Sequence, residues 1–226
     1  SMKRDMGAAR AMREDIAERW PAHRANALHL ERLLQDLGDE ATAFDVRAAV
    51  ADLDDDPEFR VQSWLLLAER AEADLNAPER ALEMLSKVIE QTPDVASYRL
   101  QRIAIAERLS AYDVMVSDVA AVATAEVVPV ADRVALQRKR ADILADHLDR
   151  ADDAIGVLRE VLVLRSDRNA HHKLVELLVS TGDANGAIAE LGVVLDDDNN
   201  AFGAFGSARE VLEWQAQLHE GQGRLH

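Results

Sequence analysis

Apolar residues recur along this chain three and four positions apart, the spacing of helices that bury one face. Trp64, Leu67, Ala68 and Ala71 sit at i, i+3, i+4 and i+7. A second stripe follows in Ala81, Leu85, Val88 and Ile89. Between the stripes Asn76 stands three residues before Glu79, the arrangement of a capping box, and Pro78 falls in the first turn, where a missing N–H costs little. Pro93 disfavours the helical conformation at Thr92 and so ends the second helix. The pattern predicts a pair of antiparallel amphipathic helices.

The pair is repeated. Displacing the sequence by 73 residues superposes Ala68 on Ala141, Leu75 on Leu148, Ala81 on Ala154, Leu85 on Leu158, Val88 on Val161 and Asp94 on Asp167. The identities fall at the small and apolar positions and at the turn, and the cap equivalent to Asn76 becomes Asp149, with Asp152 behind it. Half of that displacement predicts an intervening copy, which Ile103, Ala106, Met115, Val119 and Val122 supply around a turn at 110–113. A further copy runs through His171, Leu174, Val175 and Leu178, the turn Thr181-Gly182-Asp183, then Ala187, Leu191 and Val194. A looser one holds Ala27, Leu30, Leu34, Gly38-Asp39, Ala43 and Val50. The expected hairpins are 24–57, 61–94, 95–128, 133–167 and 168–200. Residues 1–23 read as an N-terminal helix or tail, and Ser1 before Met2 as a cloning remnant. Residues 202–218 read as a capping helix or a truncated repeat, with Phe205, Ala208, Arg209 and Leu212 in first-helix spacing.

Trp64-x2-Leu67-Ala68-x2-Ala71, followed by Ala81-x3-Leu85-x2-Val88 and Pro93, resembles the tetratricopeptide (TPR) pattern W-x2-L-G-x2-Y…A-x3-F…P of about 34 residues. Steps of 33 residues from Ala154 to Ala187 and 34 from Ala81 to Met115 count against the longer HEAT-type pair. Ala68, Ala141 and Val175 replace the usual glycine, and two copies carry an extra turn residue, Leu75 and Leu148. The resemblance implies an all-α fold, a right-handed α-solenoid of about five hairpins plus terminal helices, with first helices lining a concave groove. The positions it places there are Leu28, Arg32, Leu65, Glu69, Glu72, Leu100, Arg108, Arg138, Asp142, His172 and Glu176. Family members that clamp a C-terminal carboxylate use lysine and asparagine on these helices. Leu65, Glu69, Leu100 and Arg138 depart from that set, so the expected ligand is a protein or peptide segment of basic and apolar character.

Composition narrows the function further. Among 226 residues there are no Cys, 5 Pro, 10 Gly, 48% hydrophobic and only 4% aromatic residues. The apolar share is Ala, Leu and Val, which favours helices. A net charge of −16 disfavours nucleic acid and anionic lipid as ligands. No apolar run approaches the roughly 18 residues of a membrane span. Without Cys there are no disulfides or thiolate sites; the compartment stays open, with cytoplasm favoured, and Ala- and Arg-rich usage points to a bacterial source. No catalytic grouping, cofactor motif or metal set stands out. His171 and His172 are adjacent, not i and i+4, and Gly203-Ala204-Phe205-Gly206 lacks the Lys-Ser/Thr of a phosphate loop. The acidic runs 52–58 and 196–200 read as solvated turns, without the glycine and distal glutamate of a calcium loop. The basic run Arg138-Lys139-Arg140 reads as a salt-bridged surface. The expected function is a non-catalytic interaction scaffold. The alternatives are a self-assembling module joined through Trp20 and Trp214, or, further off, an enzyme using paired carboxylates between helices.

Overall fold

A computed structural model describes residues 2–196 and 202–223, and these are all-α, without strands. The helices fall into two compact units, 1–111 and 112–226, with the boundary inside the turn of the third expected hairpin. The first unit holds α1 (Met2–Arg19), α2 (Arg24–Asp36), α3 (Glu40–Leu53), α4 (Pro57–Ala73), α5 (Pro78–Gln91) and α6 (Ala96–Arg108). The second holds α7 (Tyr112–Ala123), α8 (Val130–Asp146), α9 (Ala151–Leu164), α10 (Arg168–Ser180), α11 (Ala184–Asp196), a 3-10 turn (Gly203–Phe205) and α12 (Ala208–Gly223). In each unit every helix packs on the next in sequence, the solenoid mode of assembly, so that each buries its apolar stripe against neighbours rather than around one common centre.

The stripes read from the sequence are the core. Trp64, Leu67, Ala68 and Ala71 of α4 meet Ala81, Leu85 and Val88 of α5 in one buried cluster that also takes in Phe44, Ala51 and Ile105. In the second unit Ala141 and Leu144 of α8, Ala154, Leu158 and Val161 of α9, and Leu174 and Val175 of α10 are buried in the same rhythm. Alanine at the contact positions lets neighbouring helices approach closely.

The turns correct one expectation. Asn76 and Asp149 do not cap the helices that follow them. They take left-handed backbone angles, φ +47° and +53°, and the N-cap positions fall to Ala77 and Arg150, neither of which makes a side-chain cap bond. The extra residue in these turns shifts the asparagine or aspartate back onto the position where the chain reverses. There the backbone closes the helix end, Ala77 N–H donating to the Ala71 carbonyl at 2.7 Å and Arg150 N–H to that of Leu144 at 2.8 Å. The shorter turns place Gly38 (φ +76°) and Gly182 (φ +84°) there and leave the next residue free to cap. Asp39 then accepts from Thr42 N–H at 3.3 Å, and Asp183 from Gly186 N–H at 2.8 Å.

The acidic run 52–58 is largely exposed around its turn, and its carboxylates are also tied to specific partners. Asp52 accepts from the indole Nε1 of Trp64 at 2.9 Å and from Lys87 at 2.7 Å. Asp54 pairs with Arg24, whose guanidinium also lies 3.9 Å from the centre of the Phe59 ring. That hydrogen bond from Arg24 holds the Asp54 carboxyl below the usual carboxylate range. Asp56 caps α4, accepting from Glu58 and Phe59 N–H at 3.0 and 3.3 Å. The run thus closes α3 against α2 and starts α4. Asp197 to Asn200 of the second acidic run lie outside the described residues.

A charged knot lies inside the first unit. Glu31 of α2 is 4% exposed and accepts from Arg47 of α3 at 3.0 Å and Arg70 of α4 at 2.6 Å. Arg47 also donates to the fully buried Ser63 hydroxyl at 3.0 Å. Beyond it, side chains one period apart join alternate helices: Asp45 to Arg80 and Asp52 to Lys87 link α3 to α5, and Glu72 to Arg108 links α4 to α6.

The described residues begin and end in helices. Helix α1 packs on α2 with Ala17 against the Leu30, Leu34 and Ala43 cluster and Arg13 donating to Asn26 at 3.2 Å, and Arg10 donates to Asp39, the N-cap of α3, at 3.1 Å, while Met12 and Trp20 remain exposed. At the other end Phe205 is buried in the 3-10 turn, not in a helix, and α12 inserts Val211 where the sequence pattern had pointed to Leu212, which is exposed. Gly203 lies against Arg168, where a Cβ would come within 2.8 Å of the arginine's own, so this glycine serves packing rather than phosphate binding. No described helix is long and apolar enough to cross a membrane, and no group of three or more His, Cys, Asp or Glu among the described residues is placed to hold a metal ion.

Candidate functional site

Helices α4 and α6 stand side by side with α5 behind them, and the space between them is a cleft of about 810 Å³. Its floor is apolar: Leu65 and Ala68 from α4, Leu85 from α5 and Ile105 from α6. Tyr98 and Gln101 form the α6 wall, and Leu66, 36% exposed, stands at the α4 edge. Glu69 and Glu72, on one stripe of α4 with Leu65, bring two carboxylates to the rim, and Arg108 reaches across from α6 to pair with Glu72.

The cleft continues towards the start of α4. A second hollow of about 400 Å³ shares Leu65 and Tyr98 with the first and adds Pro57, Glu58, Val61, Gln62, Gln91 and Thr92. From Pro57 to Glu72 the helix rises about 22 Å at the usual rise per residue, the length of an extended segment of about seven residues. Along this track three carboxylates face one arginine, which is itself paired, so the potential of the rim is negative over an apolar floor.

Of the positions expected to line a groove, Leu65, Glu69, Glu72 and Arg108 are brought together here. Arg32 and Leu100 are exposed on α2 and α6 and line neither hollow. Arg138, Asp142, His172 and Glu176 belong to the second unit. There Arg138, Asp142 and Asp146 form one stripe of α8, and the stripe is tied to α10. Arg138 donates to Asp167 at 3.3 Å and Lys173 to Asp146 at 2.9 Å. Burial pushes the Asp142 carboxyl above the usual carboxylate range and Asp146 adds to this, against the pull of Lys173 and Arg138. For Lys173, burial works against the charged form, but the hydrogen bond from the ammonium to Asp146 and the surrounding carboxylates prevail and raise its pKa.

The adjacent histidines point to different neighbours. His171 is buried and bonded through Nδ1 to Glu190 of α11. His172 packs on Phe205 and Trp214, ring centres 4.9 and 5.6 Å away, with Glu176 at 3.6 Å from its Nδ1. Trp214 is therefore half-buried in an aromatic cluster of its own unit rather than displayed for assembly. Sequence reasoning missed Tyr98, Gln101 and Ile105. Tyr98 carried a signal in being one of only 2 tyrosines, at the start of a first helix.

No family model and no curated protein sequence matches the chain. Among solved structures it is similar to BtubC (BKLC) from P. vanneervenii, at 14% identity over 100% of this chain and 94% of that one, TM-score 0.39. It is also similar to TTC0263, a thermophilic TPR protein of Thermus thermophilus, at 19% identity over 87% of this chain and 97% of that one, TM-score 0.35. A third is Acl4, an assembly chaperone of RpL4, residues 1–338, at 17% identity over 97% and 90%, TM-score 0.29.

Proposed function

We propose that the chain is a TPR-like interaction scaffold whose cleft between α4 and α6 takes a short protein segment carrying apolar side chains and at least one lysine or arginine. The observation that carries this reading is the pairing of an apolar floor of Leu65, Ala68, Leu85 and Ile105 with Glu69 and Glu72 at the rim. Apolar burial supplies the affinity of such a site, and the carboxylates select the sign of the ligand and hasten its arrival. Arg108 acts as an internal stand-in, occupying Glu72 until a ligand cation displaces it. The reading needs no catalytic group and no cofactor.

The test is fluorescence polarisation with labelled octapeptides in which two leucines are combined with arginine, glutamate or glutamine. The arginine peptide should bind best, and Glu69→Lys with Glu72→Lys should raise its Kd at least about tenfold, the effect of losing about 1.4 kcal/mol of complementarity. Arg108→Gln, which frees Glu72, should hold or improve the affinity. Equal binding of all three peptides, or a Kd unmoved by the double reversal, would remove the cleft as the docking site.

A further inference from the structure

Carboxylates reach the track beside α4 at its two ends. Glu58, Gln62, Leu65, Glu69 and Glu72 follow one another at steps of four, three, four and three residues and so form one stripe of the helix. The stripe is anionic at both ends and neutral in the middle, where Leu65 and Tyr98 belong to both hollows. Opposite it, the described lining residues of α5 and α6 bring no carboxylate, and Arg108 is the cation among them.

Each end is short of one positive charge. Glu72 has Arg108, whereas Glu69 is exposed and has no ion pair among the described residues. Glu58, also exposed, accepts from the neutral amide of Gln62 at 3.0 Å. Arg60 nearby is taken up by other acceptors, donating to the Asp54 carbonyl at 2.9 Å and to Gln91 at 2.8 Å. At the usual rise per residue Glu58 lies about 16 Å from Glu69 and about 21 Å from Glu72 along the axis. An extended chain covers that span in about five or six residues. Two cations set side by side would crowd one end, sharing Glu69 with Arg108, and would leave the other end unmatched.

Building on the docking role proposed for the cleft, we infer that its partner segment is bipartite: two lysines or arginines about five or six positions apart in an extended stretch, with apolar residues between them over Leu65 and Tyr98. Fluorescence polarisation of the full chain tests this with labelled peptides of one length and composition, each holding several leucines and two arginines. The arginines stand adjacent, about six positions apart, or about eleven apart, the last being the spacing that a helical ligand would need. A control peptide has glutamine at both places. The six-apart peptide should bind about three- to fivefold tighter than the adjacent one, the effect of one more exposed charge pair. Glu58→Gln should bring the two to equal Kd, and Arg108→Gln should narrow the gap by freeing both carboxylates at the far end. Equal binding of the adjacent and six-apart peptides to the wild-type chain would overturn the inference while leaving the cleft as the docking site. A preference that survives Glu58→Gln, or one for eleven-apart arginines, would do the same. Arginine peptides that bind no better than the glutamine control would remove the docking role and the spacing together.

Discussion

Replacing Glu31 by glutamine keeps the shape of the side chain and removes one charge from the knot joining α2, α3 and α4. The carboxylate accepts from two guanidiniums, Arg47 at 3.0 Å and Arg70 at 2.6 Å, whose side chains are only 15% and 19% exposed. Hydrogen bonds to charged groups contribute about 1.5–3 kcal/mol each, and a buried cation stripped of its anion is strongly destabilising. Glutamine can still accept one of the two bonds, so the expected loss is about 3–5 kcal/mol, against a total stability of about 5–15 kcal/mol for a domain. Trp64 of α4 reports the event, since it is buried in the adjoining cluster, and Trp20→Phe with Trp214→Phe makes its fluorescence the sole indole signal. Urea titration of that background with and without Glu31→Gln gives the difference directly. The fourfold replacement Glu31→Leu, Arg47→Met, Arg70→Met, Ser63→Ala, which also removes the buried hydroxyl that Arg47 serves, should recover most of the loss, because apolar groups of similar volume need no partners. A Glu31→Gln cost below about 1 kcal/mol, the range of exposed ion pairs, would refute the reasoning by showing that water reaches and solvates the guanidiniums.

Two further outcomes are expected. Asp142, whose carboxyl titrates above its ordinary value because burial disfavours the anion, opposes folding once ionised: the stability its neutral form permits is present below the unfolded pKa and lost as pH rises through the folded one. Asp142→Asn should therefore raise the melting temperature at pH 7 and leave it unchanged near pH 3, with solvent screening keeping the gain under about 1 kcal/mol. Asp149→Gly should stabilise the second unit by up to about 1 kcal/mol, since glycine reaches the left-handed region without the steric cost that a side chain carries. Thermal melts of Asp149→Gly beside Asp149→Ala check this, and a loss in the glycine variant equal to that in alanine would mean the side chain is itself needed.

What could be read from the chain alone was whatever depends on local spacing. The buried faces of α4, α5, α8 and α9 follow from a period of 3.6 and needed no tertiary information. The turn residues were recognised as turn residues, but their role was misjudged: Asn and Asp are favoured both as N-caps and in left-handed backbone, and only the count of turn residues distinguishes the two. The ties of the exposed acidic run 52–58 were not legible, because Arg24, its partner at Asp54, lies 30 residues away. Lys87, the partner of Asp52, lies 35 residues away. The α4 side of the cleft was legible in Leu65, Glu69 and Glu72, which share one helical stripe. Its opposite wall was not, because whether Leu100 or Gln101 faces α4 depends on the rotation of α6, which packing on α5 decides.

The links from Asp45 to Arg80, Asp52 to Lys87 and Glu72 to Arg108 span 35, 35 and 36 residues. Such spacing makes the first unit tolerant of one kind of length change and intolerant of another. Duplicating or excising a complete helix pair would keep the apolar stripes in register, although the charges would not be renewed, since Met115 and Val122 stand 35 residues beyond Arg80 and Lys87. Adding a single amino acid within α5 would swing everything downstream in that helix by about 100° and part the charges together with the greasy contacts beneath them. Growth of this architecture in whole-pair increments, and never by single residues inside a helix, is written into its buried stripes.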